Sequence, residues 1–198
     1  ALGVVLGPSL AAPARAGVPT DQLRAQIDRV LKLLEDPEMR KEGRARARRT
    51  AVRKVADDIF DFQETAKRSL ARHWQPRTVA ERDEFVRLFA DLLERSYLSR
   101  IELYGGEKIA YLGDTLDGDQ ALVRTRIVTK SGTEVPIEYR MSKKSDRWLV
   151  YDVIIEGVSL VANYRTQFNK IIQTSSYAEL VKRMKVKQDQ FIEATKKS

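Results

Sequence analysis

Cysteine is absent from this 198-residue chain. Disulfides, thiolate metal sites and a cysteine nucleophile are therefore excluded. Histidine is nearly absent: the single His73 stands beside Trp74 with no second ligand at metal-binding spacing. It reads as a surface or half-buried side chain. There is no G-x-S-x-G elbow, no glycine-rich phosphate loop and no H-E-x-x-H pair. Asp57, Asp58 and Asp61 lack the glycine of a calcium loop, and on a helix they point different ways. Chemistry by scattered carboxylates and tyrosines needs no fixed spacing and stays open. No apolar run approaches the about 20 residues that cross a bilayer. No internal repeat or low-complexity block is present.

Apolar residues make up 42% of the chain and charged residues 32%, an ordinary globular balance. The length suits one domain. Thirty-six Lys and Arg against 28 Asp and Glu leave a net charge of +8, which favours anionic partners. Residues 1–16, ALGVVLGPSLAAPARA, carry one charge and an apolar run from Leu2 to Leu10. They end in Ala14-Arg15-Ala16, a small-x-small site. The pattern is that of the apolar region and cleavage site of a secretory signal without its basic start. Residues 17–198 are then one exported domain, with a charged tail from about residue 188. The alternative is an N-terminal arm.

The spacing predicts helices first. Pro19-Thr20-Asp21 opens a stripe of Leu23, Ile27, Val30, Leu31 and Leu34 that stops near Asp36-Pro37. Residues 38–60 read as a second helix and about Phe62 to Trp74 as a third. Thr78-Val79-Ala80-Glu81 is a capping box. It starts a long helix with Phe85, Leu88, Phe89, Leu92, Leu93, Tyr97 and Ile101 at three- and four-residue steps. After Gly105-Gly106 the period shortens. Glu107–Leu112, Gln120–Lys130, Glu134–Met141 and Arg147–Ile155 read as four strands. Val135, Ile137, Tyr139 and Met141 alternate with polar residues and Pro136, whose missing donor suits an edge or bulge. The fourth strand is apolar on both faces, so both are covered. Two helices close the chain, about Val158–Gln173 and Tyr177–Lys187. The expected class is α+β: N-terminal helices, a four-stranded antiparallel sheet, then C-terminal helices.

The run RKEGRARARRTAVRK, Arg40 to Lys54, wraps its charge around the helix and interleaves no aromatics. Stacked nucleic acid is therefore not expected. A solvated face, or docking to anionic lipid or an acidic protein, remains.

Four segments together are similar to a known pattern: FDFQETAKRSLARHWQ, AERDEFVRLFADLLERSYLSRIELY, VPIEYRM and RWLVYDVIIEGVSLVANYRTQF. They resemble the MlaC-like family, the periplasmic auxiliary proteins of the toluene-tolerance or Mla lipid-transport ABC system. The resemblance runs from about Asp57 to Lys187. The order of an aromatic strand, then Glu-Gly-Val-Ser, then Asn-Tyr-Arg-x-Gln-Phe, is its most specific part. The chain departs from the pattern at Thr174-Ser175-Ser176, where glycine is often found. A hopanoid-linked branch shares the pattern.

The resemblance implies a non-enzymatic periplasmic carrier with no cofactor, its cargo a glycerophospholipid. The lipid is held by its acyl chains in an apolar cavity between sheet and helices. Exchange with an outer-membrane lipoprotein–porin complex and an inner-membrane ABC transporter carrying a lipid-binding ring would maintain outer-membrane lipid asymmetry. The expected cavity wall is Phe85, Phe89, Leu92, Tyr97, Val135, Ile137, Tyr139, Val150, Val161 and Phe168, although periodicity alone reads these equally as core. Arg124, Arg126, Arg140 and Lys143 are candidates for headgroup or partner docking. Asp152, Glu156, Gly157 and Arg165 are expected to be structural, with Arg165 paired to Asp152 or Glu156. The competing readings are an enzyme or binder for a sterol-like or hopanoid lipid, with Asp152 as its strand carboxylate, and a solid adaptor that binds acidic protein surfaces.

Overall fold

The structure, a computed structural model, describes residues 17–196. The expected leader at residues 1–16 lies outside them. Seven α-helices and five strands are present among the described residues. Helices α1 (Val18–Glu35), α2 (Pro37–Arg40), α3 (Ala45–Ile59), α4 (Phe62–Leu70) and α5 (Val79–Glu102) precede the sheet. Strands β1 (Lys108–Asp117), β2 (Gln120–Val128), β3 (Glu134–Lys144), β4 (Arg147–Ile155) and β5 (Val158–Ser159) follow, then α6 (Leu160–Thr174) and α7 (Tyr177–Lys196). The strands form one antiparallel sheet in chain order.

The sheet has five strands rather than four because Glu156 and Gly157 make a two-residue turn. Both have positive φ, +49° and +81°, the left-handed pair that a tight hairpin requires. Val158 and Ser159 then pair back onto Ile155 and Ile154. Gly113-Asp114, expected in a loop, belongs to β1. A bulge between Tyr111 and Gly113 shifts the register, and pairing continues to Asp117. Pro136 lies on a central strand, not at an edge. Its carbonyl accepts from Glu156 N at 3.1 Å, so its donorless nitrogen faces the turn where β4 pairing ends. The segment 38–60 is two helices, because the chain turns at residues 41–43, where Gly43 takes φ +82°.

Long-range contacts set the helix ends. The Asp114 carboxylate accepts from Gly17 N (3.1 Å), Thr20 N (3.0 Å) and Thr20 Oγ1 (2.6 Å), capping α1 from the sheet. Asp61 accepts from Glu64 N at 3.0 Å to start α4, and its own N–H donates to Val150 O at 2.8 Å. The Thr78–Glu81 capping box is present as expected.

Cross-strand register sorts the sheet into two faces. One carries Ala121, Val123, Tyr139, Met141, Val150 and Val153, packed with Leu23, Val55 and Ile59 of α1 and α3. The other carries Arg124, Arg126, Arg140 and Asp152, and α6 sits on it over β4 through Asp152. This is why β4 is apolar on both sides. A second core, separate from the first, lies among α4, α5, α6 and α7. It holds Ala66, Leu70, Trp74, Phe85, Leu88, Phe89, Phe168, Leu180, Val181 and Met184.

Candidate functional site

The expected wall residues are divided between the two cores. Phe85 and Phe89, 0% and 1% exposed, meet Phe168 edge to face at 5.5 and 5.1 Å between ring centres. Phe89 also meets Tyr164 at 5.0 Å. These rings fill the helical core instead of lining an open chamber with the sheet residues. Such edge-to-face pairs add about 0.5–1.5 kcal/mol each beyond area burial. Val161 is buried in the first turn of α6, and Leu92 and Tyr97 are half-buried on α5. Val135, Ile137, Tyr139 and Val150 share the sheet face that α1 and α3 cover.

That sheet face is graded. Its rows read Ala121–Met141–Val150, then Val123–Tyr139–Val153, then Tyr111–Thr125–Ile137–Ile155, then Ile109–Ile127–Val135. Ala121, Met141, Val150 and Val123 are buried; Ile109, Ile127, Val135 and Ile155 are only half-buried. Helices α1 and α3 therefore seal one end of an apolar wall and leave its other end partly uncovered. Burial pushes the Tyr139 phenol up to about 12, with the Thr125 hydroxyl opposing weakly. Burial also raises the Tyr111 phenol, with Asp28 adding to it, while Arg24 stands over its ring at 4.5 Å. Both phenols are neutral over the physiological range.

Two surface clefts are also present. One, of about 460 Å³, is lined by Gln63, Glu64, Lys67, Trp74, Gln75, Val79, Arg82, Asp83 and Lys144. The other, of about 280 Å³, lies between Gln22, Gln26, Asp58, Met141, Arg147 and Trp148. Neither contains an expected wall residue; the first is lined mainly by polar and charged side chains, and the second also by Leu23, Ala25 and Ile59 of the first core.

The docking arginines lie on the opposite sheet face. Arg124 pairs with Glu138 at 3.4 Å and donates to Thr115 at 2.9 Å, and Arg126 pairs with Glu134 at 2.9 Å. Arg140 reaches buried Asp152 at 3.1 Å, while Lys143 is exposed. The arginines are thus cross-strand ion-pair partners. Asp152 also accepts from Ser159 Oγ (2.7 Å) and Val161 N (3.0 Å). The expected pairing of Arg165 is corrected here: Asp152 is held by Arg140, Ser159 and Val161, and Arg165 is exposed. Glu156 is an exposed turn residue.

Sequence reasoning missed three anchoring groups: Asp114, the Asp61–Lys144 pair at 2.5 Å, and Arg53. Arg53 contacts Asp57, Asp91 and Glu94 and bridges α3 to α5. Burial works against its charge, but the hydrogen bonds to Glu94 and Asp57 outweigh that and raise its pKa. Only the Arg53–Asp57 spacing of four residues was visible in sequence. Among the described residues no cluster of His, Asp and Glu could hold a metal ion, and no helix is long and apolar enough to cross a membrane.

An antiparallel sheet with helices on both faces, a partly uncovered apolar wall and charges engaged in structural pairs defines an α+β domain shaped for apolar contact. The chain belongs to the MlaC family: the family model described as "MlaC protein" matches residues 24–186. It is similar to the "Intermembrane phospholipid transport system binding protein MlaC" of Haemophilus influenzae, with 23% identity over 141 residues. That match covers 69% of this chain and 66% of the relative, so it spans just under two thirds of the relative's length. The fold is shared with a phospholipid-binding protein from Ralstonia solanacearum, solved in complex with a phospholipid. The TM-score is 0.77 at 24% identity, over 87% of this chain and 97% of that one.

Proposed function

We propose that this protein is a periplasmic phospholipid carrier. The observation that carries the reading is the graded apolar sheet face, sealed by α1 and α3 at one end and partly uncovered at Ile109, Ile127, Val135 and Ile155. Family membership and the functions of the two similar proteins support it. Acyl chains enter at the uncovered end of that face, beside the C-terminus of α5. That helix returns to the α1 layer through Tyr104, which packs against Leu34 and Val52.

The energetics suit a carrier. Exposing a methylene to water costs about 0.8 kcal/mol, so a lipid with about 30 of them would cost roughly 24 kcal/mol bare. Its tails must be shielded almost completely in transit. A membrane and an apolar protein wall solvate them similarly, so loading and release turn on the few kcal/mol supplied by docking. No covalent step is needed. Asp152, the carboxylate of the enzyme reading, is instead occupied in holding α6 to β4. The exchange partners are an outer-membrane lipoprotein–porin complex and an inner-membrane ABC transporter with a lipid-binding ring.

Native mass spectrometry of protein purified without detergent tests the reading. Phospholipid close to one per chain is expected. Protein that is empty, and that also takes up no lipid from vesicles, would overturn it; a hopanoid in its place would redirect the cargo assignment.

A further inference from the structure

We infer that the end of the molecule formed by α2, the first turns of α3 and the C-terminus of α5 is a docking surface for an anionic lipid bilayer. Residues 40–54 carry eight of the chain's cations and one anion, Glu42. Lys41, Arg44 and Arg46 are exposed. Arg40 donates to Leu34 O at 2.7 Å and Arg48 to Met39 O at 2.9 Å, which fixes this basic segment to the end of α1. Leu34 and Val52 pack with Tyr104, which places the C-terminus of α5 against the same lobe.

Two apolar side chains project there. Leu103 is 81% exposed and Ile101 39%. A large apolar side chain in water beside a dense basic segment is the pairing that interfacial anchors use. The apolar group enters the headgroup boundary and the cations meet anionic lipid. Lys108 and Lys130 add positive charge across the adjoining loop. The acidic residues of this end are Glu35, Asp36, Glu38, Glu42, Glu102 and Glu107, against Arg40, Lys41, Arg44, Arg46, Arg48, Arg49, Arg100, Lys108 and Lys130. Glu38 is paired with Lys41 at 2.6 Å, and Glu107 accepts from Gly105 N at 2.8 Å and is held below its ordinary pKa by that bond, with Lys130 contributing. Positive charge therefore dominates. A nucleic-acid partner lacks the interleaved aromatics it would stack on.

The same end holds the half-buried row Ile109–Ile127–Val135, since Lys108 and Val128 adjoin it. Docking would thus set the uncovered end of the apolar wall against the bilayer. That role in loading rests on the carrier reading; the docking itself does not.

Flotation with vesicles of phosphatidylcholine alone, and of phosphatidylcholine mixed with phosphatidylglycerol, tests the proposal. The whole chain is expected to float with the anionic vesicles and not the neutral ones. The double variant Arg44→Glu with Arg46→Glu should weaken partitioning about tenfold or more, and added salt should weaken the unaltered protein too. Leu103→Asp should also lose binding, although it alters no buried contact. The urea unfolding midpoint should be unchanged in both variants, since all three residues are exposed. Equal flotation on both vesicle types, no flotation, binding indifferent to both variants, or retention on an acidic protein alone would each overturn the proposal. If the protein floats as expected yet never carries lipid, the carrier reading fails and the docking surface stands.

Discussion

Asp152 shows how one side chain can hold a junction. It is 3% exposed and takes a guanidinium from β3, the Ser159 hydroxyl and the Val161 N–H. Removing it leaves Arg140 without its carboxylate and the buried Val161 N–H without an acceptor, while Ser159 Oγ still caps α6 through Ala162 N. Asp152→Ala is expected to cost about 1–3 kcal/mol in urea unfolding, the range for leaving a buried donor unsatisfied, because Arg140 itself is half exposed. Arg165→Ala should stay within about 0.5 kcal/mol, as exposed substitutions do. Tyr139 makes a pH prediction. Its folded pKa, about 12, lies above the ordinary 10 because burial disfavours the phenolate. The folded state therefore binds the proton more tightly. This contribution is fully present below pH 10 and is lost as pH rises toward 12. Tyr139→Phe should flatten that alkaline decline, measured by denaturant midpoint against pH.

At the scale of elements, helix ends divide into local and distant designs. α5 begins with a capping box contained in four residues, and Thr78→Ala should cost about 1 kcal/mol. α1 begins on a carboxylate 94 residues away in sequence. Asp114→Ala should cost a similar amount and also loosen α1 from the sheet, seen as faster amide exchange in residues 18–23. The helical core responds differently. Phe89→Ala, which removes a ring touching Phe85, Tyr164 and Phe168, is expected to cost about 3–5 kcal/mol. A packed core predicts that full loss, whereas an open chamber lined by Phe89 would show much less.

For the whole molecule, the apolar wall and the charged surface give separate tests. Ile127→Asp, at the uncovered end of the wall, should lower co-purified lipid severalfold while leaving unfolding within about 1 kcal/mol, because the site is only half-buried. Acid acts through the surface. Glu81, Glu107 and Glu179 are held below the ordinary 4.5, the first two chiefly by backbone N–H donors and the third by Arg183. Their contribution is present above pH 4.5 and is lost as pH falls through the depressed values. The urea midpoint should hold between pH 7 and 5 and decline below that.

The order of helices and strands, the α5 capping box and the α+β class were legible in sequence, because each rests on contacts within a few residues. So was the family, carried by the β4–α6 stretch. The Glu156-Gly157 join was visible as a join. Its left-handed pair and the short β5 it creates depend on Val158 finding Ile155 across the turn. Gly113-Asp114 looked like a loop because a bulge and a turn use the same residues. Tertiary structure alone decided which core each apolar stripe entered. Periodicity says that Phe89 and Tyr139 both face inward, but not that one meets Phe168 and the other Val123. The same holds for Arg140, which took the carboxylate expected for Arg165. Charge in the sequence names possible partners, and only the fold brings one of them within 3.1 Å.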